Sequence, residues 1–265
     1  MSTPPAGKLP LPELAAMKRR GDRIVMVTAY DAPSARLADA AGVELVLVGD
    51  SAAMVMLGYE STVPVTLDEM IFLTRAVTRA ARQPLVIGDL PFGSYEISDE
   101  QAVASAIRML KEGGADVVKL EGAGRMVSRV RAIAESSIGV MGHVGLTPQS
   151  ATKLGGFRAQ GRSAAAALEV YDGARALEEA GCFAVVLEAV PARVAERTAS
   201  PAARRSWHRW PSPLRSPRWW RAATGASTPS SWTRGSAAST PSTSTARWTG
   251  SASSSPRTTR GSWSS

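Results

Sequence analysis

Four short apolar runs in this chain each deliver an acid at or near their C-terminal end. "LVLVGDS" stops on Asp50, "LVIGDLP" on Asp89, "VVKLEG" on Glu121 and "AVVLEAVP" on Glu188. Buried strands rarely carry carboxylates, so the repetition calls for a common cause. Carboxylates are hard oxygen donors that suit a divalent cation such as Mg2+, which commonly keeps positions open for substrate. A cation so held can act as a Lewis acid toward a bound oxygen ligand. Lys119, two residues before Glu121, would add positive charge on the same side, and Ser51, next to Asp50, offers a hydroxyl donor. Glu188, on a separate run, is a candidate general base. Plainer roles exist for each residue taken alone. A strand-end Asp often caps the next helix, Lys119 could pair with a rim acid, and Glu188 could be a solvated loop acid.

The elements that must position these residues alternate along the chain. "LPELAAMKRRG" has the pattern of a short helix closed by Gly21. "IVMVTAY" is β-rich, and "DAPSARLADAAG" has helical spacing, with Leu37 and Ala41 on one face and Gly42 as a stop. The helix "LDEMIFLTRAVTRAA" has Thr66 as N-cap and Glu69 as capping-box partner, and Ser98 caps the helix after the third strand. Six strand–helix units can be counted, the strands apolar on both faces, which predicts a parallel sheet covered by helices. Asp50, Asp89 and Glu121 lie 39 and 32 residues apart, as consecutive βα units require. An open doubly wound sheet gathers its ligand groups at one switch point. Acids at many strand ends instead suit a closed barrel, whose parallel strands bring every C-terminus to one rim. The period of two then puts Lys119 and Glu121 on one face, pointing into that rim.

With 265 residues, 44% of them hydrophobic, the chain can bury one large core. Its net charge of +8 would normally suggest a polyanionic partner. The excess sits at one end: residues 201–265 hold ten of the 31 basic residues and none of the 23 acidic ones. The remainder is slightly acidic, which argues against nucleic acid as its partner. From about Ser200 the composition turns to Ser, Arg, Thr, Pro and Ala, with all seven Trp of the chain and no Ile, Val, Met, Phe or Tyr. Such a segment cannot bury a core and is expected to be disordered low-complexity tail. Interleaved Arg and Trp could bind single-stranded nucleic acid, but the composition fits better with GC-rich DNA translated out of frame. Cys182 is the only cysteine, so no intrachain disulfide forms and a reducing cytoplasmic setting is expected. No secretory signal or membrane-spanning run is expected either.

Seven blocks carry a family resemblance: "TAYDAPSARLADAAGVELVLVGDS", "GYESTVPVTLDEM", "DLPFGSYE", "VVKLEG", "GHVGLTPQS", "GGFRAQGR" and "VVLEAVP". In order and in spacing, from about Leu11 to Ser200, they resemble 3-methyl-2-oxobutanoate hydroxymethyltransferase (ketopantoate hydroxymethyltransferase). The resemblance implies a (β/α)8 TIM barrel, transfer of a hydroxymethyl group from 5,10-methylenetetrahydrofolate to 3-methyl-2-oxobutanoate through a Mg2+-stabilised enolate, and a place in pantothenate and coenzyme A biosynthesis. It also implies a homo-oligomer. Carried over position by position, Asp50, Asp89 and Glu121 correspond to the Mg2+ ligands. Asp50, Ser51, Asp89 and Lys119 correspond to substrate contacts, and Glu188 to the proton acceptor. Where the family continues with a Gly-rich "IGIGAG"-type strand end and an "H-x-P-K-F"-type segment, this chain has the Arg/Ser/Trp tail instead. The expected organisation is therefore an incomplete barrel over residues 1–200 and a tail over 201–265.

Rival readings are another Mg2+-dependent keto-acid enzyme of the phosphoenolpyruvate mutase or isocitrate lyase type, an inactive incomplete barrel, and nucleic-acid binding through the tail. His143 either touches substrate or is a hydrogen-bonded structural imidazole. With His208 the only other histidine, a multi-His metal site is excluded. Cys182 is expected to be a buried structural thiol, "EGAGR" a tight turn, and Arg158 and Arg162 part of a lid, a folate-side contact or a solvated loop.

Overall fold

The computed structural model describes residues 7–199. The Arg/Ser/Trp tail, with the readings attached to it and His208, lies outside the described residues. Helix α1 (Leu11–Arg20) leads into β1 (Met26–Thr28), and α2 (Ala32–Ala41) into β2 (Leu45–Val48). The short α3 (Ala52–Val55) and then α4 (Leu67–Thr78) precede β3 (Leu85–Asp89). Next come α5 (Asp99–Lys111), β4 (Val117–Lys119), α6 (Met126–Glu135) and β5 (Val140–Gly145). After a 3-10 turn over Pro148–Ser150, α7 (Ala151–Leu154) and α8 (Ala164–Glu179) lead to β6 (Ala184–Glu188) and α9 (Ala192–Ala199).

All neighbouring strands pair in parallel, in the order β1-β2-β3-β4-β5-β6. Consecutive parallel neighbours joined through helices make a curled half-barrel, the first six units of the predicted architecture. Among the described residues β1 and β6 each pair on one side only, and both are more exposed than the strands between them.

Side-chain alternation divides the strands cleanly. Val46, Val48, Val86, Val118 and Val140 pack against helix residues such as Met70, Met109 and Ile133 on the outer face. Leu45, Leu85, Ile87, Val117 and Met141 form a second cluster on the inner face, joined by Leu14 of α1. Helix α1 thus closes the N-terminal end of the curl, a role its position ahead of β1 did not reveal. Continuing the inner set two residues at a time reaches Asp89, Lys119, His143 and Glu188, so polar groups begin where the apolar layers stop.

The helix boundaries follow their predicted signals. Thr66 and Glu69 make both bonds of the capping box, and Ser98 Oγ accepts from Gln101 N. Gly21 and Gly42 close α1 and α2. Within α2 the core takes Ala35 and Ala38, while Leu37 is turned outward at 73% exposure, because α2 presents only its small residues to the sheet. The "EGAGR" segment is a tight turn in which Gly122 adopts φ +97°.

Candidate active site

The strand ends place the predicted residues in one buried cluster. Asp89 ends β3 and Lys119 ends β4, directly paired in the sheet register. Lys119 Nζ donates to both Asp89 oxygens at 2.7 Å and lies 3.8 Å from Glu121 Oε1. Asp50, two residues past β2, donates its backbone N–H to Asp89 Oδ2 at 3.1 Å. Ser51 shares a 2.8 Å hydrogen bond with the Tyr30 hydroxyl. His143, within β5, sits 3.3 Å from Glu121 Oε1 on one side and 3.3 Å from Glu188 Oε2 on the other, though neither contact is aligned as a hydrogen bond. Asp50, Asp89, Lys119, Glu121 and His143 are all buried, whereas the Glu188 side chain is 42% exposed.

Electrostatics in this cluster follow from crowding. Burial pulls the Lys119 pKa down, but Asp89, Glu121 and Asp50 outweigh it and hold the ammonium above its ordinary range. Burial likewise opposes the His143 imidazolium, and Glu121 and Glu188 overcome it, raising the pKa. The reciprocal effect of His143 holds Glu188 below the usual Glu value. Asp50 is pushed up to about 7, first by burial and then by Asp89 and Glu121, with Lys119 and the Gln149 hydrogen bond opposing. Carboxylates therefore outnumber the cations available to balance them. An acid whose folded pKa exceeds its unfolded value binds its proton more tightly when folded. Its contribution to stability is thus full below pH ~4 and lost as pH rises through about 7. In chelator, Asp50 by itself is expected to contribute a loss of at most about 1.4 kcal/mol per pH unit across that window, and Asp50→Asn to flatten the slope. Urea melts at stepped pH measure this, and an unchanged slope in the variant would refute the assignment.

Four predicted residues, Asp50, Asp89, Lys119 and Glu121, meet in this network, and His143 links it to Glu188. Two further members escaped prediction. Gln149 donates from Nε2 to Asp50 Oδ2 at 2.9 Å and from its backbone N–H to Glu121 Oε2 at 3.1 Å. Tyr95 receives the Glu121 backbone N–H at 3.2 Å and donates to Gln149 Oε1. The signal for Gln149 was its place just after Pro148 in "GLTPQS", near a strand end; no spacing rule singled it out. Arg158 and Arg162 are exposed on the loop between α7 and α8, which is tied beside Glu188 by Gln160 N–H to Ala189 O at 2.9 Å. Cys182, expected to be a buried thiol, is only partly buried, and what desolvation it has pushes its thiol up to about 12.

The donor set can be tested against a hard cation. Every acid offers oxygen, and the surplus of negative charge around Asp50 is the environment a divalent cation relieves. Among the described residues no three His, Cys or acidic side chains close into a ready-made cage. Mg2+ ordinarily binds one or two carboxylates and keeps several waters, so its chemistry does not require such a cage, and Asp50, Asp89 and Glu121 are the oxygen donors that would hold it.

A family model of ketopantoate hydroxymethyltransferase matches residues 8–202. The chain belongs to this family. The 3-methyl-2-oxobutanoate hydroxymethyltransferase of Moorella thermoacetica is 60% identical over 190 residues, 72% of this chain and 71% of that protein. The enzyme of that name from Thermobifida fusca is 59% identical over 182 residues, 69% of this chain and 65% of that protein. Both matches leave about a third of the relative's length uncovered. Among solved structures, a phosphonopyruvate hydrolase in complex with oxalate and Mg++ superposes with a TM-score of 0.54 at 15% identity, covering 72% of this chain and 68% of that one. At that identity the likeness bears on the fold alone. The keto-acid rival thus gains nothing beyond the shared barrel, while the ketopantoate hydroxymethyltransferase assignment rests on sequence itself. Among the described residues no helix is long and apolar enough to cross a membrane.

Proposed function

We propose that this chain carries the site for transfer of a hydroxymethyl group from 5,10-methylenetetrahydrofolate to 3-methyl-2-oxobutanoate, giving 2-dehydropantoate for pantothenate and coenzyme A biosynthesis. The observation that carries this reading is the meeting of Asp50, Asp89, Lys119 and Glu121 at the strand C-termini, with Glu188 linked through His143. Asp50, Asp89 and Glu121 would hold Mg2+, which when bound supplies Lewis acidity toward the keto acid.

The remaining steps belong to the chain's own residues. Ser51, oriented by Tyr30, donates to the substrate carboxylate. Lys119, fixed by two bonds to Asp89, keeps a positive charge beside the oxygen that turns negative as C3 is deprotonated. Glu188, ionised beside His143 and half exposed, receives the C3 proton. The electron pair released at C3 forms the new C–C bond to the one-carbon unit as its two C–N bonds to the folate break. Water supplies the hydroxyl oxygen, and the folate nitrogens take up two protons, one from Glu188 and one from that water. A cytoplasmic homo-oligomer is the setting the same resemblance supports.

Proton NMR in D2O tests this reading. With Mg2+ present, the C3 hydrogen of 3-methyl-2-oxobutanoate is expected to exchange, and adding methylenetetrahydrofolate to yield 2-dehydropantoate. Isocitrate and phosphonopyruvate serve as controls for the rival chemistry. Turnover of either control with no C3 exchange would replace the proposal.

A further inference from the structure

We infer that Gln149 is a positioning residue for the cation site, its amide aimed at Asp50 by the Tyr95 hydroxyl. The inference rests on the reading of Asp50 and Glu121 as groups that serve a divalent cation. Among the described residues Gln149 is the one side chain bonded to Asp50 that is also held, through its own backbone N–H, to Glu121. Both hydrogens of its amide are used: one goes to Asp50 Oδ2 at 2.9 Å and the other to the Leu90 carbonyl at 3.0 Å. Its carbonyl oxygen accepts from the Tyr95 hydroxyl. That hydroxyl accepts the Glu121 N–H, and its single hydrogen faces Gln149 Oε1 with the Glu121 carbonyl farther off at 3.4 Å; a flipped Gln149 amide would set its oxygen against both the Asp50 carboxylate and the Leu90 carbonyl. The amide therefore has one orientation.

Tyr95 is itself held firmly. Arg129 donates from Nε to the Tyr95 carbonyl at 3.2 Å and from Nη2 to the carbonyls of Glu96 and Ile97 at 3.1 and 3.2 Å. It also bonds Asp99 at 2.6 Å. One buried guanidinium thus pins the loop between β3 and α5 and lowers Tyr95 onto the site. Burial, with Glu96 and Glu121 nearby, raises the phenol pKa, so the hydroxyl stays a donor. The chemical logic is that Gln149 offers Asp50 a neutral donor. It fixes one carboxylate oxygen without competing for the site as a second ammonium would, and leaves the other oxygen free to serve a ligand. Groups that orient ligating carboxylates in this way commonly affect metal affinity by about 10- to 100-fold when removed.

The test uses the full chain and Mn2+ as an EPR-visible stand-in for Mg2+, with thermal melts run on every variant. Gln149→Met keeps length without hydrogen bonds, and Tyr95→Phe removes only the hydroxyl, so it reports even if the first variant fails to fold. Thr78→Val, which loses a 2.9 Å bond to the Gly113 carbonyl far from the acids, is the control for a purely structural loss. Asp50→Asn removes the carboxylate itself. We expect wild type and Thr78→Val to bind Mn2+ alike, Asp50→Asn not to bind, and Tyr95→Phe and Gln149→Met to bind about 10- to 100-fold more weakly. Equal binding by wild type and Asp50→Asn would sink the cation site and the inference with it. Tight binding by wild type, matched by Tyr95→Phe and any folded Gln149→Met, would overturn the inference alone.

Discussion

Glu188→Gln is expected to slow C3–H exchange of 3-methyl-2-oxobutanoate by roughly 10²- to 10⁴-fold, the usual contribution of a positioned general base. The substitution keeps the size of the side chain and removes only its ability to accept and hold a proton. Glu188 suits that task for two reasons. It is the least buried acid of the cluster, so it can return its proton to solvent. His143 also holds it below the ordinary Glu range, so it is ionised throughout the neutral range. The sign follows: a base with a depressed pKa stays competent as pH falls, and the acidic limb of the exchange rate should lie below pH ~4.5. An exchange rate unchanged in Glu188→Gln would assign the proton transfer to another group, whereas a limb near 7 that Asp50→Asn shifts would report the cation site and not the base.

Lys119→Met is expected to destabilise the fold by about 3–5 kcal/mol in the absence of divalent cation, the usual cost of stripping one partner from a buried ion pair. The ammonium is 2% exposed and makes two 2.7 Å bonds to a carboxylate that is itself 1% exposed. Methionine fills the stem's volume but leaves Asp89 buried with only the Asp50 N–H. The double variant Lys119→Met/Asp89→Leu should recover much of the loss, since the burden lies in the orphaned charge and not in missing volume. Guanidinium melts in chelator measure both variants. A loss under 1 kcal/mol for the single variant would mean that water reaches Asp89 once the ammonium is gone, against its burial in the structure.

Much of this architecture was legible in the residues because it depends on local periodicity. Apolar runs that end on an acid mark strands whose C-termini share a rim, and the period of two carries Lys119 onto the inner face with Val117. The Thr66 capping box and the glycine stops at Gly21 and Gly42 likewise rest on interactions within a few residues. The barely visible parts were those that depend on distance along the chain. Leu37 has helical spacing yet faces outward, because how α2 docks on the sheet selects its buried side. Helix α1 reads as an ordinary leader and becomes the plug of the inner face.

By itself, then, the order of residues determined the parallel βα succession, the helix limits and the candidate acids, since each follows from backbone geometry repeating over short spans. Only the tertiary structure decided how those acids are held. Gln149 lies 99 positions from Asp50 and Tyr95 lies 54 from Gln149, so no local pattern encodes their meeting. His143 became the link between Glu121 and Glu188 only once β4, β5 and β6 lay side by side. The charge states of Asp50 and Lys119 were decided there too, because burial and the number of neighbouring charges are properties of packed space and not of the chain's order.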